Sequence, residues 1–209
     1  MGKSVLVGYA TLTGSTIGVA EAVAEVLRQT GVTVTVRRAR EVRAADIAQH
    51  SAVVLGTACR AGKVLPEALD FVKRNLSALE ALPVAYFTVG LTMCEDTPKS
   101  REEVLGYLAP LRVMKEPVAT GLFAGALTFK RLSPPLRPLL RWVGRSRGAQ
   151  LTDGDWRDWD AIRKWARDLI PALSLPAVAL VPAAKKQRKE RVLAGEDHLD
   201  DVPGDPETP

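Results

Sequence analysis

Three runs of this chain, SVLVGY at 4–9, AVVLGTA at 52–58 and PVAYFTVG at 83–90, are apolar at nearly every position. A strand with one wet face alternates apolar and polar residues, so runs without alternation belong to strands covered on both faces of a parallel sheet. Two further strand-like runs, TVTVRR at 33–38 and VATGLFAG at 118–125, bring the set to five. Helical patterns separate them. Residues 15–30 put Ile17, Ala20, Val23, Ala24 and Leu27 on one stripe and stop near Gly31, a residue type that ends helices. Weaker patterns cover 43–49, 65–79 (Leu65, Leu69, Val72, Leu76) and 99–109. The spacing predicts a last helix over 155–171, opened by Asp153 or Asp155 and ended before Pro171. Parallel strands require crossovers of one hand, so the pattern predicts an α/β three-layer sandwich around a five-stranded parallel sheet.

Two segments fall outside this alternation. Residues 126–152, ALTFKRLSPPLRPLLRWVGRSRGAQLT, form a basic insertion before the last helix that contains no acid. A connection this long inside a compact domain is usually functional or mobile. From Pro176 the composition turns to proline and mixed charge, which predicts one domain over 1–175 and a mostly disordered tail over 176–209. The tail is net −2 in a chain of net +5, so residues 1–175 carry about +7. A basic surface attracts nucleic acid, anionic lipid or polycarboxylates, and charge alone does not choose among them. The tail's KKQRKER run reads as a solvated linker, and no nucleic-acid partner is expected.

Several chemistries lack their residues. Cys59 and Cys94 have neither disulfide-framework nor zinc spacing, and His50 and His198 have no neighbouring nucleophile or ligand set. A hydrolytic triad or a metal site is not expected. No apolar run approaches a membrane span, and the N-terminus opens on a strand pattern instead of a signal peptide, which predicts a cytoplasmic protein.

The stretch YATLTGSTIG at 9–18 joins the first strand to the first helix. Thr11, Thr13, Ser15 and Thr16 supply hydroxyls, Gly14 allows close backbone approach, and a helix amino end favours an anion. The stretch lacks the Gly-Lys-Ser/Thr ending of a triphosphate loop and the glycine spacing of a dinucleotide fold. Neutral donors without a lysine suit one phosphate monoester, such as that of FMN. The competing reading is that Thr13 or Ser15 only caps the helix. In an open parallel sheet, ligands sit beyond the carboxyl ends of strands where strand order reverses, an edge shared by loops 9–16, 57–64 and 90–98.

The T-x-T-G-S-T loop after the first strand resembles the flavodoxin superfamily. Further segments, VVLGTACRAGKVLPEALDFVKRN (53–75), LPVAYFTVGL (82–91), FAGALTF (123–129) and DWDAIRKWARDL (158–169), are similar to the menaquinone-dependent protoporphyrinogen dehydrogenase group within it. The resemblance implies a flavodoxin-like fold of strand order 2-1-3-4-5 with noncovalent FMN. It assigns the phosphate to Thr11, Leu12, Thr13, Gly14, Ser15 and Thr16. The ring falls to Thr57, Ala58, Cys59, Arg60, Ala61 and Gly62, with Val89, Gly90 and Leu91 opposite. The chain departs from the pattern where Ala61 and Val64 replace the usual tyrosines. The implied reaction moves hydride to flavin N5 from protoporphyrinogen IX or a related porphyrinogen in heme biosynthesis, with a quinone as acceptor and no side chain assigned as general base.

Charge bears on this chemistry. Arg60 and Lys63 in the ring loop would stabilise a reduced, anionic flavin, which favours two-electron transfer over one-electron carriage; the alternative is that both are merely solvated. In the insertion, Lys130, Arg131, Arg137, Arg141 and Trp142 are candidates to touch an anionic substrate or the inner membrane surface, as amphipathic basic segments do. Equally, its leucines could pack and its arginines stay in water. Two other functions stay open: a flavodoxin-type electron carrier, and a flavin-free module that binds a membrane or partner. Cys59 and Cys94 are read as incidental loop thiols, and Trp156, Trp159 and Trp165 as packing residues of the last helix.

Overall fold

A computed structural model describes residues 2–127 and 153–176. The insertion residues Lys130, Arg131, Arg137, Arg141 and Trp142, and the tail beyond 176, lie outside the described residues. The strands are β1 (Ser4–Ala10), β2 (Thr33–Arg38), β3 (Ala52–Arg60), β4 (Lys63–Val64), β5 (Val84–Gly90), β6 (Ala119–Ala124), β7 (Ala126–Leu127) and β8 (Gly154–Asp155). The helices are α1 (Ser15–Arg28), α2 (Ala44–Ile47), α3 (Pro66–Arg74), α4 (Leu76–Glu80), α5 (Pro98–Met114) and α6 (Trp159–Ala172).

Five strands form the parallel sheet in the order β2-β1-β3-β5-β6, which is the expected 2-1-3-4-5 order once the two-residue β4 is set aside. Alternation along the central strands feeds two cores. Val5, Val7, Val54 and Phe87 face one layer with Val19, Val23 and Leu27 of α1 and Ile162 and Leu169 of α6. Leu6, Val53, Leu55 and Tyr86 face the other, with Phe71 of α3, Leu79 of α4 and Leu108 and Leu111 of α5. The unbroken apolar runs thus mark strands buried on both sides. Phe87 and Phe123 meet Trp165 of α6 edge-on, with centroids 5.9 and 5.5 Å from its ring, so the last helix is anchored by an aromatic cluster.

Several boundaries differ from the sequence reading. Ile17 is exposed; the buried face of α1 runs instead through Thr16, Val19, Ala20, Val23 and Leu27. The helix expected over 65–79 breaks at Asn75, whose buried Nδ2 donates to the Phe71 carbonyl at 2.9 Å. α5 continues past 109 through Pro110, because Pro110 and the residue one turn back, Gly106, both sit on its exposed face. α6 opens at Asp158, not Asp153 or Asp155; Asp158 Oδ1 accepts from the N–H groups of Asp160 and Ala161 at 3.0 and 2.9 Å. Pro171 falls inside its last turn instead of beyond it. Asp155 belongs to β8, which pairs antiparallel with β7 (Ala126↔Asp155, Leu127↔Gly154). The insertion therefore starts and ends on a short ribbon.

The loop expected over 57–64 is a hairpin. β3 runs on to Arg60, turns through Ala61 (φ 49°) and Gly62 (φ 74°), and returns as β4 with Arg60 opposite Lys63. Two consecutive positive φ angles are the geometry of a type I′ turn, for which alanine is ill suited at the first position. Ala61→Asn is expected to raise stability by about 1 kcal/mol, measured as a higher urea midpoint with an unchanged slope.

Candidate functional site

At the carboxyl edge of the sheet, Gly14 takes up φ 92° and serves as the N-cap of α1 with no side-chain cap bond. The N-cap position itself is thus held by a glycine, between Thr13 and Ser15. Thr11 Oγ1 accepts from the Gly14 N–H at 3.0 Å and so shapes the turn, while Leu12 points outward, 57% exposed. Thr16, in the first turn of α1, is fully buried and its Oγ1 has no hydrogen-bond partner among the described residues. A buried hydroxyl left without a partner is costly unless something supplies one. A cleft of about 440 Å³ opens beside this turn, lined by Thr13, Gly14 and Ser15 on one wall and by Ala126, Leu127, Asp155 and Arg157 on the other. The residues present fit a phosphate monoester: a helix amino end, a glycine in the left-handed region, and a hydroxyl in want of a partner.

Two arginines outside the loop brace it. Arg38, at the end of β2, forks onto Glu67 with Nε and Nη2 at 3.0 and 3.2 Å and reaches the Thr11 carbonyl at 3.4 Å. Arg157 forks onto Asp155 and reaches the Ser15 carbonyl at 3.1 Å. The guanidinium holds the Asp155 carboxyl below the usual carboxylate range. Stability from this pair is complete above the ordinary aspartate pKa and is lost as pH falls through the lower folded value, so the tie is intact at neutral pH. Sequence reasoning missed both arginines. Arg38 was within reach of it, since a strand's carboxyl end must lie at this edge; Arg157 carried no signal, because the ribbon that delivers it is a tertiary feature.

The other two loops divide into framework and surface. Thr57 is buried and pairs within the sheet with Thr88, and its Oγ1 accepts from the Leu65 N–H at 3.3 Å. Val89 is buried in the core on the α1 side. The side chains of both are thus engaged in holding the strands. Ala58 and Cys59 are half-buried, and Arg60, Ala61 and Gly62 are exposed on the hairpin tip. Neither Arg60 nor Lys63, which face each other across the hairpin, is in an ion pair among the described residues. Cys59 Sγ lies 2.7 Å from Thr88 Oγ1, and burial pushes its thiol pKa up, which keeps it protonated and unreactive at neutral pH. Gly90 sits against it, since a Cβ at 90 would stand 3.2 Å from Cys59 Cβ. Leu91, half-buried, starts a 3-10 turn, Leu91–Cys94.

One aromatic side chain reaches both ring loops. Tyr107 of α5 lies 3.4 Å from where a Gly62 Cβ would be, stands near Thr92 and donates to Glu103. It was missed because it belongs to neither loop. The arrangement offers an anion cradle at one end of the edge. At the other end stand the hairpin and the 90s turn, with Tyr107 beside Gly62 and with Arg60 and Lys63 in no ion pair among the described residues. Among the described residues no helix is long and apolar enough to cross a membrane, and no cluster of ligating side chains could hold a metal ion.

Comparison with known proteins agrees with this geometry. Residues 6–150 match the family model described as Flavodoxin domain. A Leishmania major protein named protoporphyrinogen IX dehydrogenase [quinone] is 28% identical over 191 residues, covering 88% of this chain and 80% of that protein. An Escherichia coli (strain K12) protein of the same name is 21% identical over 179 residues, covering 83% and 98%. Among solved structures, a Streptococcus pneumonia TIGR4 flavodoxin superposes with a TM-score of 0.50 at 17% identity, covering 80% of this chain and 98% of that one. With more than half of its length matched by the family model, the chain belongs to the Flavodoxin domain family, whose cofactor is FMN.

Proposed function

We propose that this flavodoxin-type oxidoreductase removes hydrogens from protoporphyrinogen IX, or a closely related porphyrinogen, and delivers the electrons to a quinone. The observation that carries the reading is the likeness to two proteins named for that reaction, which extends over 80% and 98% of their lengths. The geometry supports it. Thr11, Thr13, Gly14, Ser15 and Thr16 hold the phosphate, with Leu12 at the rim. The hairpin tip from Ala58 to Gly62 and the Gly90–Leu91 turn flank the ring, on a framework of Thr57 and Val89. When bound, FMN supplies the two-electron chemistry. The chain's own residues orient it and set the local charge: Arg60 and Lys63, in no ion pair among the described residues, favour added negative charge near the ring. The basic insertion, which springs from Leu127 and returns at Asp153 beside the cradle, is the segment to meet anionic propionates or an anionic membrane surface through Lys130, Arg131, Arg137, Arg141 and Trp142.

The test is anaerobic mixing of the FMN-loaded protein with protoporphyrinogen IX, then addition of a menaquinone analogue. The flavin absorbance is expected to bleach and then return. Absence of bleaching with porphyrinogen, alongside normal reduction by dithionite, removes the substrate assignment. Reductive titration checks the charge argument: both electrons are expected at nearly one potential, whereas two well-separated steps would indicate an electron carrier.

A further inference from the structure

Arg157 holds three elements at once. Its Nε and Nη2 donate to the two carboxylate oxygens of Asp155 on β8 at 2.8 and 2.5 Å, and its Nη1 donates to the carbonyl of Ser15, the first residue of α1, at 3.1 Å. Its guanidinium carbon lies 4.4 Å from the centroid of the Trp159 ring, at the start of α6. The side chain is only 15% exposed, and the Trp159 ring beneath it packs against the core on the α1 side. Gly18, one turn beyond Ser15, makes room for it. A Cβ at 18 would come within 2.8 Å of Nη1 and 3.4 Å of the Trp159 ring.

Packing of α1 against α6 is already provided by Val19, Val23, Ile162 and Leu169, so the stack of α1 on α6 does not depend on Arg157. What Arg157 adds is a fixed point on the one turn of α1 that faces the cleft. Its charge is matched by Asp155, so its contribution is orientation more than field. A planar fork lines two N–H groups up with both carboxylate oxygens and spares a third for a carbonyl, whereas a lysine ammonium has three N–H groups but no such planar fork.

We propose that Arg157 is a positioning residue for the phosphate end of the cofactor. By gripping the Ser15 carbonyl from outside, it sets the first turn of α1 so that the donors of residues 13–16 converge on one phosphate. The proposal rests on the FMN reading above. It also assigns a role to the β7–β8 ribbon, which presents Asp155 and so fixes the grip.

The experiment titrates the full-length protein and its Arg157→Gln, Arg157→Lys and Asp155→Asn variants with FMN and with riboflavin, which has the same ring and no phosphate, following flavin fluorescence. Each variant is expected to weaken FMN about tenfold, near 1.4 kcal/mol, and to leave riboflavin affinity unchanged. Loss of FMN and riboflavin by the same factor would show a merely structural residue and overturn the proposal. So would unchanged FMN affinity in Arg157→Lys, since the fork would then be dispensable. Tighter FMN binding by Asp155→Asn would show that Arg157 acts through its charge and not its placement, and would also overturn it. If Arg157→Gln does not fold, the two conservative variants carry the same test. Should the unmodified protein bind riboflavin as tightly as FMN, the phosphate-cradle reading itself fails, a result visible before any variant is compared.

Discussion

Thr16→Val is expected to move stability and cofactor affinity in opposite directions. The Thr16 hydroxyl is fully buried in the first turn of α1 and has no partner among the described residues, so the flavin-free protein bears the desolvation of that group without return. Valine keeps the shape and removes the polar atom. The flavin-free variant should gain about 1 kcal/mol, a rise of roughly 2–4 °C in melting temperature for a domain of this size. FMN binding should weaken roughly 10- to 100-fold, because a hydrogen bond to a charged phosphate contributes about 1.5–3 kcal/mol. Melting without flavin and fluorescence titration with it check the two signs. A variant that melts lower and binds FMN normally would mark the hydroxyl as part of the framework, and the cradle would lose its strongest witness.

Gly56→Ala is expected to be among the most damaging single-methyl additions in the chain, at about 3 kcal/mol or more. A Cβ at 56 would fall 2.0 Å from Phe87 Cζ, closer than non-bonded atoms can approach. The ring has no room to retreat. Phe87 is fully buried and packed against Phe123 at 6.2 Å and Trp165 at 5.9 Å between centroids. The urea midpoint should fall sharply, and Gly56→Ala combined with Phe87→Leu should recover part of the loss because the smaller side chain vacates the clash. Equal stability of the single and double variants would show that the contact is not the cause. Gly56 directly precedes Thr57, so the same crowding would also disturb the strand from which the ring hairpin rises.

Much of the layered architecture was legible because burial on both faces leaves a direct trace in composition. Val5 to Val7, Val53 to Leu55 and Val84 to Phe87 are apolar without alternation since each neighbouring pair feeds a different core. The phosphate loop was legible for a related reason: its donors are contiguous in the chain, and Gly14 adopts the left-handed backbone its type permits. Helix ends were less so. Asp153, Asp155 and Asp158 are chemically equivalent as caps, and the choice fell to Asp158 only because Asp155 is drawn into the ribbon with Ala126. The 57–64 segment resembled a loop since Ala61–Gly62 is a weaker hairpin signal than Asn-Gly. Tyr107 and Arg157 escaped altogether, each being remote in sequence from the loop it supports.

From the sequence alone came the parallel five-stranded sheet, its two covered faces and a loop suited to one phosphate. Those features depend on local pattern and on residues adjacent in the chain. The tertiary structure alone decided that Thr16 would be left unpartnered among the described residues, that Arg38 and Arg157 would brace the loop from opposite sides, and that Tyr107 would stand between the ring loops. Such contacts join residues from about 15 to 140 positions apart, and they exist only once the sheet order and the ribbon have fixed where each chain segment passes.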